Sequence, residues 1–135
     1  MAIATVIALY VITALVFLAA DAVMLTKFMR PLFERYISDW LLDSPRLGAA
    51  AAFYLAYVAG LVYLVSLPAL KAGDPMRALV QGAILGAMAY GTYEFTNWAT
   101  LKNWSVMQVA ADVTWGAVLT GVSAWVGVTV VRVFA

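Results

Sequence analysis

The chain has 135 residues, of which 66% are hydrophobic and 11% are charged, against about 45–50% apolar and about 25% charged residues in an ordinary soluble domain. Since each membrane crossing needs about 20 apolar residues, this length predicts one membrane domain of four spans and no separate soluble domain. Eight Lys and Arg against seven Asp and Glu give a net charge of +1, which disfavours a nucleic-acid partner. The absence of Cys and His disfavours haem, iron–sulfur and zinc cofactors and any nucleophile that depends on His or Cys.

The spans are predicted between the charged residues, because a charge at the centre of a bilayer is costly. The first span, at about 2–24, contains only Asp21. It has no Lys or Arg ahead of it, which favours a retained span over a cleavable signal peptide. The second, at about 47–70, has no charge; the third, at about 78–98, contains Glu94, and the fourth, at about 107–131, contains Asp112. We therefore expect residues 1–135 to form one all-α transmembrane bundle of four helices.

The connection after the first span has an amphipathic pattern. Its apolar residues recur at helical spacing, and Pro31 stands where a first helical turn tolerates it. The pattern predicts an interfacial helix at about 31–43; the alternative is a long, tilted first span of which this stretch is the solvated end. The apolar positions are Phe33, Tyr36, Ile37, Trp40 and Leu41, and the polar ones are Glu34, Arg35, Ser38 and Asp39.

Basic residues suggest an orientation. Four spans place both chain ends on one side of the membrane, and basic residues mark cytoplasmic loops. The side with the first and third connections carries more of them, which predicts that it is cytoplasmic and that both termini lie outside. They are Lys27, Arg30, Arg35, Arg46 and Lys102, against Lys71, Arg77 and Arg132 on the other side. The second connection, Lys71 to Arg77, contains Gly and Pro and predicts a tight turn.

Small residues recur every four positions in the later spans. Membrane helices approach closely where small residues meet, so these stripes predict close helix crossings. They are Ala52, Ala56 and Gly60; Ala78, Gly82 and Gly86; and Gly116, Thr120 and Ala124.

Three acids lie inside the hydrophobic spans, and the connectivity puts all three at one depth. Asp21, Glu94 and Asp112 each fall roughly 6 to 8 Å inside the same face at about 1.5 Å per residue. Polar and aromatic residues lie at that depth too, which predicts a cleft that is acidic at its base and walled by aromatic rings. These candidates for ligand or proton binding are Tyr54, Tyr57, Tyr90, Tyr93, Asn97 and Trp115. The alternative is structural: the acids cap helices or pair with Lys27, Arg30 or Lys102.

Clustered carboxylates in a low-dielectric cleft repel one another, so at least one is expected to keep a proton near neutrality. That proton suits a hydrogen bond to a ligand, proton coupling or general acid and base chemistry. No spacing motif supports a metal site. The sequence therefore predicts no cofactor.

One segment resembles a known family. Tyr90-Gly-Thr-Tyr-Glu-Phe-Thr-Asn-Trp-Ala-Thr-Leu-Lys-Asn-Trp, followed by Asp112-Val-Thr-Trp-Gly116, is similar to the signature of a bacterial family of predicted four-span membrane proteins, domain of unknown function 2177. The resemblance covers nearly the whole chain and implies four spans and a bacterial inner-membrane location. Glu94 stands where family members often carry Asp. The resemblance implies importance for Asp21, Tyr90, Thr92, Tyr93, Glu94, Thr96, Asn97, Thr100, Lys102, Asp112 and Trp115. It carries no assigned reaction, and a loose association with lipid modification slightly favours a lipid ligand.

Four functions fit this pattern. The first is binding of an amphipathic or lipid-like molecule in the cleft, as an accessory to a lipid-modifying enzyme or another protein partner. The second is a small proton-coupled transporter that uses an intramembrane carboxylate, although acids near one face fit a midplane transport site less well. An enzyme ranks third because no catalytic motif is present. A structural assembly subunit, including a homo-oligomer, is the fourth.

Overall fold

The computed structural model describes residues 2–37 and 46–134, which are helical apart from short connections and include no strand. The all-α fold predicted from the sequence is confirmed. The helices are α1 (Ile3–Met24), α2 (Arg30–Ile37), α3 (Leu47–Leu61), α4 (Leu67–Ala72), α5 (Pro75–Thr100) and α6 (Val106–Phe134), with π-helical turns at Leu25–Met29 and Val62–Ser66.

The first continuous helical stretch, which runs from α1 through α2, continues past the predicted end of the first span. The π-helical turn Leu25–Met29 joins α1 to α2 without a break, so the backbone stays helical through Pro31 to Ile37. This continuity favours a long first span. The second half of the interfacial helix predicted at about 31–43 lies outside the described residues, so that helix stays a prediction.

The second continuous helical stretch, which runs from α3 through α4, contains Pro68, and the π-helical turn before this proline accommodates it. Pro68 lacks a backbone N–H and its ring clashes with the carbonyl four residues earlier in a regular α-helix. The turn Val62–Ser66 widens the helix just before it, and the Leu67 N–H bonds to the Val62 carbonyl five residues back. This stretch ends at Gly73, which adopts a left-handed φ of 64°. Asp74 then caps α5 by accepting a hydrogen bond from the Arg77 backbone N–H, so the predicted tight turn is confirmed.

Helices α5 and α6 pack as a close antiparallel pair through glycine. A Cβ built on Gly82 would lie 2.9 Å from the Gly121 Cα, and one on Gly86 would clash with the Gly116 backbone. The predicted close crossings are confirmed on α5 and α6, where all the stripe residues of both helices are buried. On α3 the prediction is wrong: Ala52 and Ala56 are exposed, and a Cβ on Gly60 would meet no atom within 4 Å.

Within residues 2–37 and 46–134, three helical stretches are long and apolar enough to cross a membrane: Ile3–Leu32, Gly48–Ala72 and Val106–Phe134. Helix α5, with 26 residues, would extend about 39 Å at about 1.5 Å per residue. Its exposed large residues are mostly apolar, including Val80, Ile84, Met88 and Phe95, while Glu94 faces inward. An apolar outer face is what lipid requires, and it supports the predicted fourth crossing by α5.

Candidate functional site

A cavity of about 480 Å³ lies among the helices at the end of the bundle where the acids were predicted to gather. Helices α1, α3, α5 and α6 and the π-helical turn Leu25–Met29 form its wall. Two acids, one methionine, one alanine and six aromatic residues line it. They are Asp21, Met29, Phe53, Tyr54, Tyr57, Ala89, Tyr90, Tyr93, Asp112 and Trp115.

Asp21 is held in the cavity wall by a neutral hydrogen-bond donor. Its side chain is only 7% exposed, and its Oδ1 accepts a hydrogen bond of 3.1 Å from the Trp115 indole N–H. Tyr54 lines the cavity beside the same carboxyl group. A neutral donor orients a carboxyl group without adding a positive charge beside it, so this contact places no cation against Asp21.

Glu94 lies directly behind Asp112 and is fully buried. Its Oε1 accepts a hydrogen bond of 2.9 Å from the Trp104 indole N–H. Its Oε2 has no donor among the described residues, and the Asp112 carboxyl group lies within hydrogen-bonding reach of Glu94. Because two ionised carboxylates are both acceptors, a hydrogen bond between them requires a proton on one. The pair therefore has a place for one shared proton.

The Trp104 ring is fixed between Glu94 and the cavity wall. It packs edge-on against Tyr93, with ring centroids 5.9 Å apart and an interplanar angle of 81°. Ser105 and Gln108, which follow it, form a reciprocal cap at the start of α6: the Ser105 backbone N–H donates to Gln108 Oε1 over 2.9 Å, and the Gln108 backbone N–H donates to Ser105 Oγ over 3.1 Å. The cap defines where α6 begins and so how Asp112 is placed against Glu94.

The aromatic wall is a connected set of rings backed by the core. Phe17, fully buried, packs against Tyr54 and Tyr57 with centroid distances of 5.7 Å and 5.6 Å. Tyr57 meets Tyr90 edge-on at 6.4 Å, and its hydroxyl shares a 3.0 Å hydrogen bond with Thr120 Oγ1. These contacts hold tyrosines of α3 and α5 against α1 and α6, so the wall is shaped before any ligand arrives.

The cavity reaches the surface of the bundle. Phe53 is 65% exposed and Tyr93 is 52% exposed, although both line it. In a membrane-spanning bundle, an opening beside such rings gives access from the apolar region or its edge.

Most of the residues predicted as a site do come together. Asp21, Tyr54, Tyr57, Tyr90, Tyr93, Asp112 and Trp115 line the cavity. Glu94 lies behind Asp112 and does not itself line the cavity. Asn97 is half-buried on the same helix as Glu94 and does not line the cavity. That these residues bind a ligand or a proton stays a prediction.

Sequence reasoning missed Met29, Phe53 and Ala89 in the wall and Trp104 as the partner of Glu94. Apolar residues of the cavity wall cannot be told apart, in the sequence, from the many other apolar residues of the spans. Trp104 follows Glu94 by ten residues across a short connection, but that spacing alone does not show that the indole turns back toward Glu94. Among the described residues, no group of three or more His, Cys, Asp and Glu side chains is placed to hold a metal ion.

The helices and their buried acids define the chain as an all-α membrane protein. The model of the family DUF2177, described as predicted membrane protein, matches residues 6–129. The chain therefore belongs to this family. No curated protein and no solved structure matches the chain.

Proposed function

We propose that the protein binds an amphipathic or lipid-like small molecule in the cavity between its helices. The observation that carries this proposal is the cavity itself, in which aromatic rings surround two carboxyl groups. Its volume of about 480 Å³ falls within the range of about 300–1,000 Å³ that is typical of small-molecule sites. Tyrosine and tryptophan rings offer apolar surface with a polar edge, which suits a ligand that has both kinds of surface.

The setting of the cavity supports a ligand drawn from the membrane. The outer surface of the bundle is apolar, with Leu15, Leu64 and Val118 among its exposed residues, and the cavity opens beside the exposed rings of Phe53 and Tyr93. We further propose a bacterial inner-membrane location, with both termini outside, and an accessory role beside a partner protein such as a lipid-modifying enzyme. This role needs a cavity that holds a molecule and presents it at the surface.

The experiment blocks the cavity with a larger side chain and measures which molecules still bind. Wild type, Ala89→Trp and the control Ala99→Trp are purified in mild detergent, and the small molecules that copurify are measured by mass spectrometry. Ala89 lines the cavity, whereas Ala99 is exposed on the same helix. We expect a specific molecule with wild type and with Ala99→Trp that is lost with Ala89→Trp. Equal amounts of the same molecules in all three samples would contradict the proposal.

The contact between Glu94 and Asp112 favours a second candidate, a small proton-coupled transporter. Two carboxyl groups that can hold a proton next to a cavity suit exchange of a proton for a substrate, because intramembrane acids often form proton relays and ion pathways. Proton flux into proteoliposomes distinguishes this candidate from binding alone. Transport predicts flux that Glu94→Gln abolishes and that Asp74→Asn, in the turn at the other end of the bundle, leaves unchanged. Absence of both flux and a copurified molecule would favour a structural assembly subunit.

A further inference from the structure

We infer that the molecule held in the cavity carries an organic cation, a quaternary ammonium group attached to an apolar body. This inference rests on the proposed function and specifies the chemistry of its ligand. Its two supports are the charge of the cavity wall and the kind of rings that form it.

The wall is negatively charged. Among the described residues that line the cavity, Asp21 and Asp112 are acids and none is Lys or Arg. The hydrogen bond that Asp21 accepts comes from a neutral indole, so its charge is not cancelled there. One shared proton between Asp112 and Glu94 leaves that pair with one negative charge. A cationic group complements this wall, and a phosphate or carboxylate would be repelled by it.

The rings select the same kind of group. The faces of Tyr and Trp rings carry negative electrostatic potential and attract a cation within about 6 Å of the ring centroid. Tyr54, Tyr57, Tyr90, Tyr93 and Trp115 all line the cavity with the two acids. Aromatic rings around a carboxylate are the chemistry that recognises quaternary ammonium groups, because bulky alkylated nitrogen makes no strong hydrogen bonds and relies on ring faces.

The location of the cavity explains why the cation needs this wall. Burying a cation away from water is costly unless a charge or a dipole compensates it. Asp21 is 7% exposed and already fixed by Trp115, so little reorganisation is needed when the cation arrives. The apolar body of the ligand then lies toward the exposed rings of Phe53 and Tyr93.

The test compares binding of a cation with binding of an uncharged molecule of the same shape. The full-length protein in maltoside detergent is titrated calorimetrically with benzyltrimethylammonium and with neopentylbenzene, in which carbon replaces the charged nitrogen. We expect the cation to bind at least about tenfold more tightly than the neutral isostere, a difference of about 1.4 kcal/mol. Dihexanoylphosphatidylcholine, titrated in parallel, distinguishes a lipid headgroup from a free cation as the source of the trimethylammonium group.

The variants locate the binding. Asp21→Asn and the double variant Asp112→Asn with Glu94→Gln keep the shapes of the side chains, and each removes one negative charge from the site. Each is expected to weaken binding of the cation by about tenfold. Either one suffices as a test if the other fails to fold. The control Asp74→Asn keeps a side chain that caps a helix and is expected to bind as wild type does.

Two results would overturn the inference and differ in what else they affect. Equal binding of benzyltrimethylammonium and neopentylbenzene, both lost in Ala89→Trp, would refute the cation and leave the proposed cavity intact. Binding that is unchanged in Ala89→Trp and in both acid variants would refute the cation and the cavity together.

Discussion

Trp115 donates a hydrogen bond of 3.1 Å from its indole nitrogen to Asp21 Oδ1, joining two side chains that are 94 positions apart in the chain. Asp21 belongs to α1 and Trp115 to α6, so this bond links the first and last helices in the cavity wall. The bond orients the carboxylate and fixes a ring of the cavity wall at the same time. It therefore connects the stability of the bundle to the shape of the site.

Trp115→Phe is expected to destabilise the bundle. The substitution keeps an aromatic ring and leaves a buried carboxylate oxygen without its indole donor, which costs about 1–3 kcal/mol. The free energy of unfolding, measured by titration with a denaturing detergent, checks this. The control Trp125→Phe changes a ring that is 38% exposed on the same helix and is expected to have a much smaller effect. Equal losses in the two variants would contradict a special role for the bond.

The gathering of the three acids was predictable from connectivity. Asp21, Glu94 and Asp112 each lie a similar number of residues from the same end of a span, and helices have a fixed rise per residue. Their partners were not predictable. Lys and Arg near the span ends were the candidate partners, whereas Asp21 and Glu94 accept hydrogen bonds from the indoles of Trp115 and Trp104. Which face of a helix meets which neighbour depends on packing across the whole bundle.

The small-residue stripes show that the same spacing occurs both at helix contacts and on exposed helix faces. Gly82 and Gly86 mark a close crossing because backbone atoms of α6 occupy the space where a Cβ would be. Ala52 and Ala56 have the same spacing and face outward. In an alanine-rich helix small residues occur on every face, so spacing alone does not identify the contact. Steric crowding, which only the fold reveals, separates the two cases.

Glu94→Gln and Glu94→Leu are expected to differ in their effect on the free energy of unfolding. Glutamine imitates a protonated Glu94: its oxygen accepts from Trp104 and its amide donates to Asp112, so the bundle should stay close to wild-type stability. Leucine leaves the Trp104 indole N–H and the Asp112 carboxyl group without this partner, at a cost of about 1–3 kcal/mol. Unfolding titrations of both variants check the order. A glutamine variant as unstable as the leucine variant would indicate that Glu94 is held ionised and does not share a proton with Asp112.

Gly86→Ala is expected to destabilise the α5 and α6 pair by about 1–3 kcal/mol, the usual cost of overpacking. Its new Cβ would clash with the Gly116 backbone and lie 2.8 Å from the Thr120 Cβ, so the helices must separate. Gly60→Ala is the matched control, because its Cβ meets no atom within 4 Å and alanine favours a helix over glycine by about 1 kcal/mol. Thermal unfolding in detergent should therefore give shifts of opposite sign, and a similar loss in both would contradict this packing.

Gly116 and Tyr90 are expected to be energetically coupled. A Cβ on Gly116 would clash with the Tyr90 ring, 2.6 Å from its Cδ2, so Gly116→Ala must push the tyrosine away from α6. Tyr90 lines the cavity, and its displacement should lower binding of benzyltrimethylammonium as well as stability. Tyr90→Ala removes the ring and with it the clash.

A double-mutant cycle measures this coupling. In the Tyr90→Ala background, Gly116→Ala is expected to cost at least about 1 kcal/mol less than it does in wild type, because contacting residues show interaction energies of about 0.5–3 kcal/mol. A parallel cycle of Gly116→Ala with Tyr63→Ala, whose ring is 73% exposed and lies outside the cavity wall, is expected to be additive. Additivity in the Tyr90 cycle would mean that the ring does not rest on Gly116, and the wall of the cavity would then differ from the one described.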